Sequence, residues 1–252
     1  HITDRSIAQS TKIYDRTGTV LLYEIHGEEK RTIVSFSDIP ETVKQATLSA
    51  EDVNFYKHGG IDFKGVLRAI FVNLLHGGIS QGGSTITQQL VKNSILTSER
   101  TFTRKIKEAL LSVLIEKKYS KDEILTLYLN QIPYGSNAYG VAAAAETFFD
   151  KPLDQLALNE AALIASLPKA PTFYSPYGSH KEEMINRKNH TLDRMAEVGF
   201  ITRVQADSAK KEKLAFNLPQ QGIRAPHFIM YVREYLNDKY GESFSFNKKL
   251  NL

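Results

Sequence analysis

Glu51 and Glu108 are the two acidic residues around which chemistry could be built. Glu51 opens EDVNFYKHGGID at 51–62, with Asp52 beside it, and Glu108 closes RKIKE at 104–108. Two carboxylates held in one cleft can divide the work of moving a proton and stabilising charge. Each also has a plainer reading. Acidic pairs are common on solvated helices, and Arg104 with Glu108 fits a surface i,i+4 ion pair of about 0.3–0.5 kcal/mol. His58 has no partner at i+4, so it reads as a capping or packing residue before a metal ligand.

A second group of residues is cationic. Lys92, Arg100, Arg104 and Lys105 could hold a pyrophosphate, with Arg giving bidentate contacts and Lys a point charge, or could form a solvated basic face. Upstream lies GGSTITQQLVKN at 82–93, in which nine of twelve residues are glycine, polar or charged. The backbone N–H groups of a helix starting near Ser84 would add to an anion site. No GK[ST] follows, so the stretch is not a Walker loop.

These residues need elements to position them. Over 103–118, Ile106, Ala109, Leu110, Val113 and Leu114 form an apolar stripe at helical spacing. Arg104, Glu108 and Ser112 lie opposite, together with Leu111 and Ile115. Glu51 and Asp52 fall near the end of a helix beginning by Pro40, with His58-Gly59-Gly60 as a stop signal. Helical periodicity also marks 63–76, 137–149, 155–167, 180–198, 202–211 and 226–240, and Ser120 with Glu123 makes a capping box. Strand signals are confined to the N-terminal part. Ile13-Tyr14 and Thr19 to Tyr23 flank Asp15-Arg16-Thr17-Gly18 as a hairpin, and Arg31 to Phe36 could add a strand. The pattern predicts a mostly helical domain with a small β appendage.

Composition sets bounds. The chain has 252 residues, 42% of them hydrophobic, enough for a substantial core. It has no cysteine, which excludes disulfides and thiolate metal sites. The net charge of +4 suits an anionic partner or simple solubility. No apolar run approaches the roughly 18 residues of a membrane span.

Five stretches, in order, resemble the peptidoglycan glycosyltransferase domain (glycosyltransferase family 51) of bifunctional class A penicillin-binding proteins. They are EDVNFYKHGGID (51–62), GGSTITQQLVKN (82–93), RKIKEALLSVLIE (104–116), KDEILTLYLNQIPYGSNAYGVAAAAETFF (121–149) and NEAALIASLPKAP (159–171). Ser112, Phe148 and Thr126 depart from the residues usual in the family. The resemblance implies a mostly α, lysozyme-like two-lobed domain with a cleft and a small N-terminal β hairpin. It implies a β segment over 1–36 following an N-terminal membrane anchor absent from this chain. The glycosyltransferase domain would span 37–218. A C-terminal helix and linker at 219–252 would lead toward an absent transpeptidase domain.

The activity so implied is polymerisation of lipid II into β-1,4-linked glycan strands with inversion, releasing undecaprenyl pyrophosphate, at the extracytoplasmic face of the bacterial cell membrane. Glu51 would be the general base, and Glu108 would organise charge at the leaving pyrophosphate or act as an acid. Lys92, Arg100, Arg104 and Lys105 would face phosphates, and Ser84, Thr87, Gln88 and Asn93 would hold sugar and phosphate oxygens. A divalent cation, Mg²⁺ or Mn²⁺, is a possible cofactor, and no organic cofactor is expected. Partners would be lipid II, the growing glycan, the membrane surface and the inhibitor moenomycin, and not nucleic acid. The apolar segment at 67–80 is the candidate membrane contact. Two other classes compete: a lysozyme-like hydrolase of finished glycan, which needs two carboxylates but no phosphate-binding cations, and a non-enzymatic module binding nucleic acid or acidic lipid by charge.

Overall fold

The computed structural model describes residues 11–14, 21–25, 30–63, 65, 83–94, 101–217 and 250–251. Its N-terminal strands β1 (Thr11–Tyr14) and β2 (Leu21–Ile25) pair antiparallel with Ile13 opposite Tyr23, the hairpin the sequence predicts. The extended run expected over Arg31 to Phe36 is shorter. Strand β3 (Lys30–Arg31) stops early, and Phe36–Asp38 is a single 3₁₀ turn. The Asn130 side chain is the physical reason: its amide accepts from Val34 N–H and donates to Val34 C=O, both at 2.9 Å, where a strand neighbour would otherwise sit.

The helices begin after Pro40. Helix α1 (Glu41–Glu51) ends at Asp52, whose N–H reaches Leu48 C=O at 2.9 Å. The stop therefore comes before His58-Gly59-Gly60, because Asp52 turns its side chain onto the next helix. That helix, α2 (Ile86–Ser94), is followed by α3 (Phe102–Lys118) and α4 (Lys121–Gln131). The capping box on α4 forms as read: Ser120 Oγ accepts from Glu123 N–H and the Glu123 carboxylate accepts from Ser120 N–H.

Residues 137–140 were expected to be helical and are not. Strands β4 (Pro133–Gly135) and β5 (Ala138–Tyr139) make a tight turn there, with β3 parallel to β5. Gly135, Ser136, Asn137 and Gly140 all have positive φ, which a right-handed helix cannot accommodate. Helix α5 (Val141–Phe149) starts only after that turn. Then come α6 (Leu158–Ser166), α7 (Lys181–Val198) and α8 (Arg203–Lys211), while β6 (Leu250–Asn251) lies parallel to β1. The helices expected at 63–76 (apart from Phe63 and Gly65) and 226–240 fall outside the described residues.

The larger core cluster gathers Leu90, Ile124, Leu125, Tyr128, Phe148 and Ile164 from α2, α4, α5 and α6. The smaller one is rich in alanine: Ala46, Ala162, Ala165 and Ala206, with Leu192 and Met195, let α1, α6, α7 and α8 approach closely. Each fully buried Leu contributes about 1.5–3 kcal/mol.

Helix α3 is turned the opposite way from a simple amphipathic expectation. Glu108, Ser112 and Ile115 are its buried residues, whereas Phe102, Ile106, Leu110 and Leu114 are 82%, 47%, 62% and 58% exposed. The inward face is polar because the backbone at Gly60 runs against it. A Cβ on Gly60, which has φ +88°, would meet Ser112 backbone atoms at 2.9 Å. Ser112 Oγ donates to Glu108 C=O at 2.7 Å, so its hydroxyl is satisfied without a partner from outside the helix.

Candidate active site

The end of α1, the start of α2, the first turns of α3 and one face of α7 enclose a cleft of about 560 Å³. Glu51 and Glu108 both line it. Glu51 is the last residue of α1, and its side chain is 6% exposed. Its Oε2 accepts from Gln89 Nε2 at 2.7 Å, while Oε1 has no hydrogen-bond partner. Arg187 Nη2 stands 3.8 Å from Oε1, an ion pair beyond hydrogen-bond reach. Burial raises the Glu51 pKa above its ordinary value. The Gln89 hydrogen bond and the charges of Arg187 and Lys169 oppose that rise, and the Asp52 charge adds to it.

Glu108 is 2% exposed and takes the Lys105 ammonium on Oε1. The same ammonium donates to Ser84 Oγ at 2.9 Å, so Lys105 ties the start of α2 to α3. Arg104 lines the cleft with a buried Nε that has no hydrogen-bond partner. Lys92 and Asn93 also line it, and Asn93 Nδ2 donates to Gln89 C=O at 2.8 Å. Ser84, Lys92, Asn93, Arg104, Lys105 and Glu108 thus line the same cleft as Glu51, and Arg100 lies outside the described residues.

Two expected substrate contacts have their side chains engaged inside the protein. Thr87 is fully buried and donates to Glu116 Oε1 at 2.5 Å, and Glu116 also pairs with Lys121 at 2.6 Å; the hydroxyl joins α2 to α3 away from the cleft. Gln88 is buried in a reciprocal cap. Its Oε1 accepts from Thr85 N–H at 3.0 Å, and its own N–H donates to Thr85 Oγ1 at 3.2 Å. At the start of α2 the N–H groups of Thr85, Ile86 and Gln88 are committed inside the protein, that of Ile86 to Asp52 Oδ2 at 3.1 Å. His58 Nε2 sits 3.0 Å from Asp52 Oδ2, in the packing role favoured for it.

Gln89 was missed, and so were Lys169, Arg187, His190 and Arg194, which also line the cleft. Both omissions had signals. Thr85-x-x-Gln88 is a capping box, which leaves Gln89 on one helix face with Lys92 and Asn93. Arg187, His190 and Arg194 follow i, i+3, i+7 spacing, so α7 presents them together. Burial and the flanking Arg187 and Arg194 hold the His190 pKa below its ordinary value.

Among the described residues no three His, Asp or Glu side chains converge to hold a metal ion. Glu108 is the carboxylate beside Lys105, which already occupies it. This donor set does not make a protein cage for a resident divalent ion.

A sequence model of the family described as Transglycosylase matches residues 18–196. The chain is 47% identical over 234 residues to penicillin-binding protein 1A of Aquifex aeolicus, covering 93% of this chain and 32% of that protein. It is 44% identical to penicillin-binding protein 1A of Escherichia coli over 92% of this chain and 27% of the relative. Penicillin-binding protein 4 of Bacillus subtilis is 39% identical over 99% of this chain and 40% of its own length. The chain thus spans well under half the length of these relatives. In the crystal structure of penicillin-binding protein 1A from Haemophilus influenzae, a region aligns with a TM-score of 0.55 and 27% identity, covering 95% of this chain and 26% of that one.

Proposed function

The chain belongs to the transglycosylase family, and from that premise we propose that it is a peptidoglycan glycosyltransferase that polymerises lipid II in cell wall synthesis. The acceptor is lipid II, and the donor is the growing glycan on its undecaprenyl pyrophosphate. The acceptor 4-hydroxyl oxygen attacks the anomeric carbon of the donor. The bond from that carbon to the pyrophosphate oxygen breaks, and undecaprenyl pyrophosphate leaves with the electron pair. Attack from the opposite face inverts the centre and forms the β-1,4 link. Glu51 takes the hydroxyl proton. Its raised proton affinity brings the carboxylate closer to the operating pH, which suits a general base.

In the same cleft, Lys92, Arg104 and Lys105 neutralise the leaving pyrophosphate, with Ser84 and Asn93 on adjoining oxygens. Arg100 would join them. Glu108 acts by holding Lys105 in place. A Mg²⁺ or Mn²⁺ ion arriving with the pyrophosphate would supply charge beyond that of the side-chain cations.

The observation that carries this reading is a buried carboxylate of raised proton affinity sharing one cleft with a separate group of cations. A hydrolase of finished glycan has no use for those cations, because its leaving group carries no phosphate. Supplying the chain with labelled lipid II in one reaction and isolated glycan strands in another separates the two: the proposed enzyme lengthens the first and leaves the second intact.

The polyprenyl tails of donor and acceptor stay in the bilayer, so on this reading the cleft works at the outer face of the cell membrane. Phe102, Ile106, Leu110 and Leu114 support that, as an exposed apolar row on the same helix as Arg104, Lys105 and Glu108. The segment at 67–80, the other candidate contact, lies outside the described residues. Among the described residues no helix is long and apolar enough to cross a membrane. The membrane anchor and a transpeptidase domain belong to the proposal for the full-length protein. Moenomycin would bind through its phosphate at Lys92 and Arg104.

A further inference from the structure

Tyr128 lies within α4, fully buried, and is not part of the cleft wall. Its hydroxyl donates to Gln89 Oε1 at 3.2 Å, and Gln89 Nε2 donates to Glu51 Oε2 at 2.7 Å. A carboxamide has one accepting edge and one donating edge. With Tyr128 on the accepting edge, the donating edge must face Glu51. The reverse orientation would press an amide oxygen against the carboxylate. Burial first, and then the charge of Glu51, push the Tyr128 pKa well above its ordinary value, so the hydroxyl keeps its proton and remains a donor.

We propose that Tyr128 is a positioning residue that acts through Gln89, holding Glu51 Oε2 as a hydrogen-bond acceptor and so fixing the orientation of the carboxylate in the cleft wall. This rests on the reading of Glu51 as the base. Oε1 is the oxygen without a hydrogen-bond partner. The other groups bearing on Glu51 are Arg187, Lys169 and Asp52, with Tyr134 also buried nearby. None of them donates a hydrogen bond to Oε2 in place of Gln89.

The consequence is a defined change in pH dependence. A hydrogen bond to the ionised carboxylate lowers its pKa, so loosening that bond raises it. The acid limb of the rate profile, where the base becomes deprotonated, then moves to higher pH. Tyr128→Phe keeps the ring and its packing and removes only the donor. In full-chain lipid II polymerisation followed against pH, this variant is expected to lose about tenfold in kcat, with KM within about twofold and the acid limb shifted upward. Gln89→Leu should show a larger shift in the same direction, and adding Tyr128→Phe to it should change little more.

A Tyr128→Phe enzyme with unchanged kcat and acid limb would overturn the proposal. So would a fall in kcat with the limb unmoved, because that is the mark of a structural effect alone. If Tyr128→Phe does not fold, Gln89→Leu decides on the same limb. Glu51→Gln run alongside keeps the two ideas apart: an active Glu51→Gln enzyme defeats the general-base reading itself, whereas an inactive one with a normal Tyr128→Phe defeats only the relay.

Discussion

Asp52 accepts the backbone N–H of Ile86 at 3.1 Å, so the residue after Glu51 anchors the helix that carries Gln89, Lys92 and Asn93. This bond and the one from Gln89 Nε2 to Glu51 Oε2 fix the end of α1 to α2, and His58 holds Asp52 from the other side. Asp52→Ala leaves Ile86 N–H and His58 unanswered in a buried place. It should cost about 1–3 kcal/mol of stability, and activity should fall with it. Thermal melting and polymerisation on the same preparation check both.

The cationic group makes a prediction about shared affinity. Lys92→Ala and Arg104→Ala should each lose polymerisation and moenomycin binding together, by about 1.5–3 kcal/mol for a charge-assisted contact. Calorimetric titration with moenomycin measures the second loss. Thr87→Val is the contrast. Its hydroxyl serves Glu116, so the variant should melt lower while KM for lipid II stays unchanged.

Glu51 links function to stability with a definite sign. Its folded pKa lies above the ordinary carboxylate value of 4.5 because burial disfavours the ionised form. The penalty of holding that charge is absent below the unfolded pKa, grows as pH rises from the unfolded value to the folded one, and is constant above it. Glu51→Gln, which cannot ionise, should therefore gain melting temperature relative to the parent at pH 7, and the gain should shrink as pH falls from the folded pKa toward the ordinary carboxylate value and vanish below it. Differential scanning calorimetry at several pH values tests it.

The exposed row on α3 separates solubility from folding. Leu110→Ser with Leu114→Ser touches residues 62% and 58% exposed, so stability should change by only about 0.5 kcal/mol per site. Sedimentation with anionic liposomes should show weakened binding. Loss of folding instead would mean that the row is covered by protein.

Much of this was legible in the sequence, and the failures are of two kinds, long-range and local. The helices with strong periodicity, such as α7, and the Ser120–Glu123 cap came out as read, because local pattern and capping chemistry determine them. Helix α3 was readable as a helix but not as a wall of the site. Its apolar row faces outward because Gly60 lies against the polar side, a long-range contact with no local trace. Within TITQQ, the four polar side chains look alike as donors, but rotation along α2 sends Thr87 to Glu116, Gln88 to Thr85 and Gln89 to Glu51. The helix beginning expected at residue 137 fails for a local reason that was readable in Gly-Ser-Asn: consecutive positive φ.

If Glu51 is the base of a lipid II polymerase, removing its capacity to accept a proton must stop polymer growth. The most direct measurement is the yield of labelled glycan polymer from lipid II by the parent chain and by Glu51→Gln. The parent should make polymer, and the variant should fall by about 10²–10⁴-fold while still binding moenomycin. Near-parental polymer from Glu51→Gln, or none from the folded parent in lipid vesicles, would contradict it.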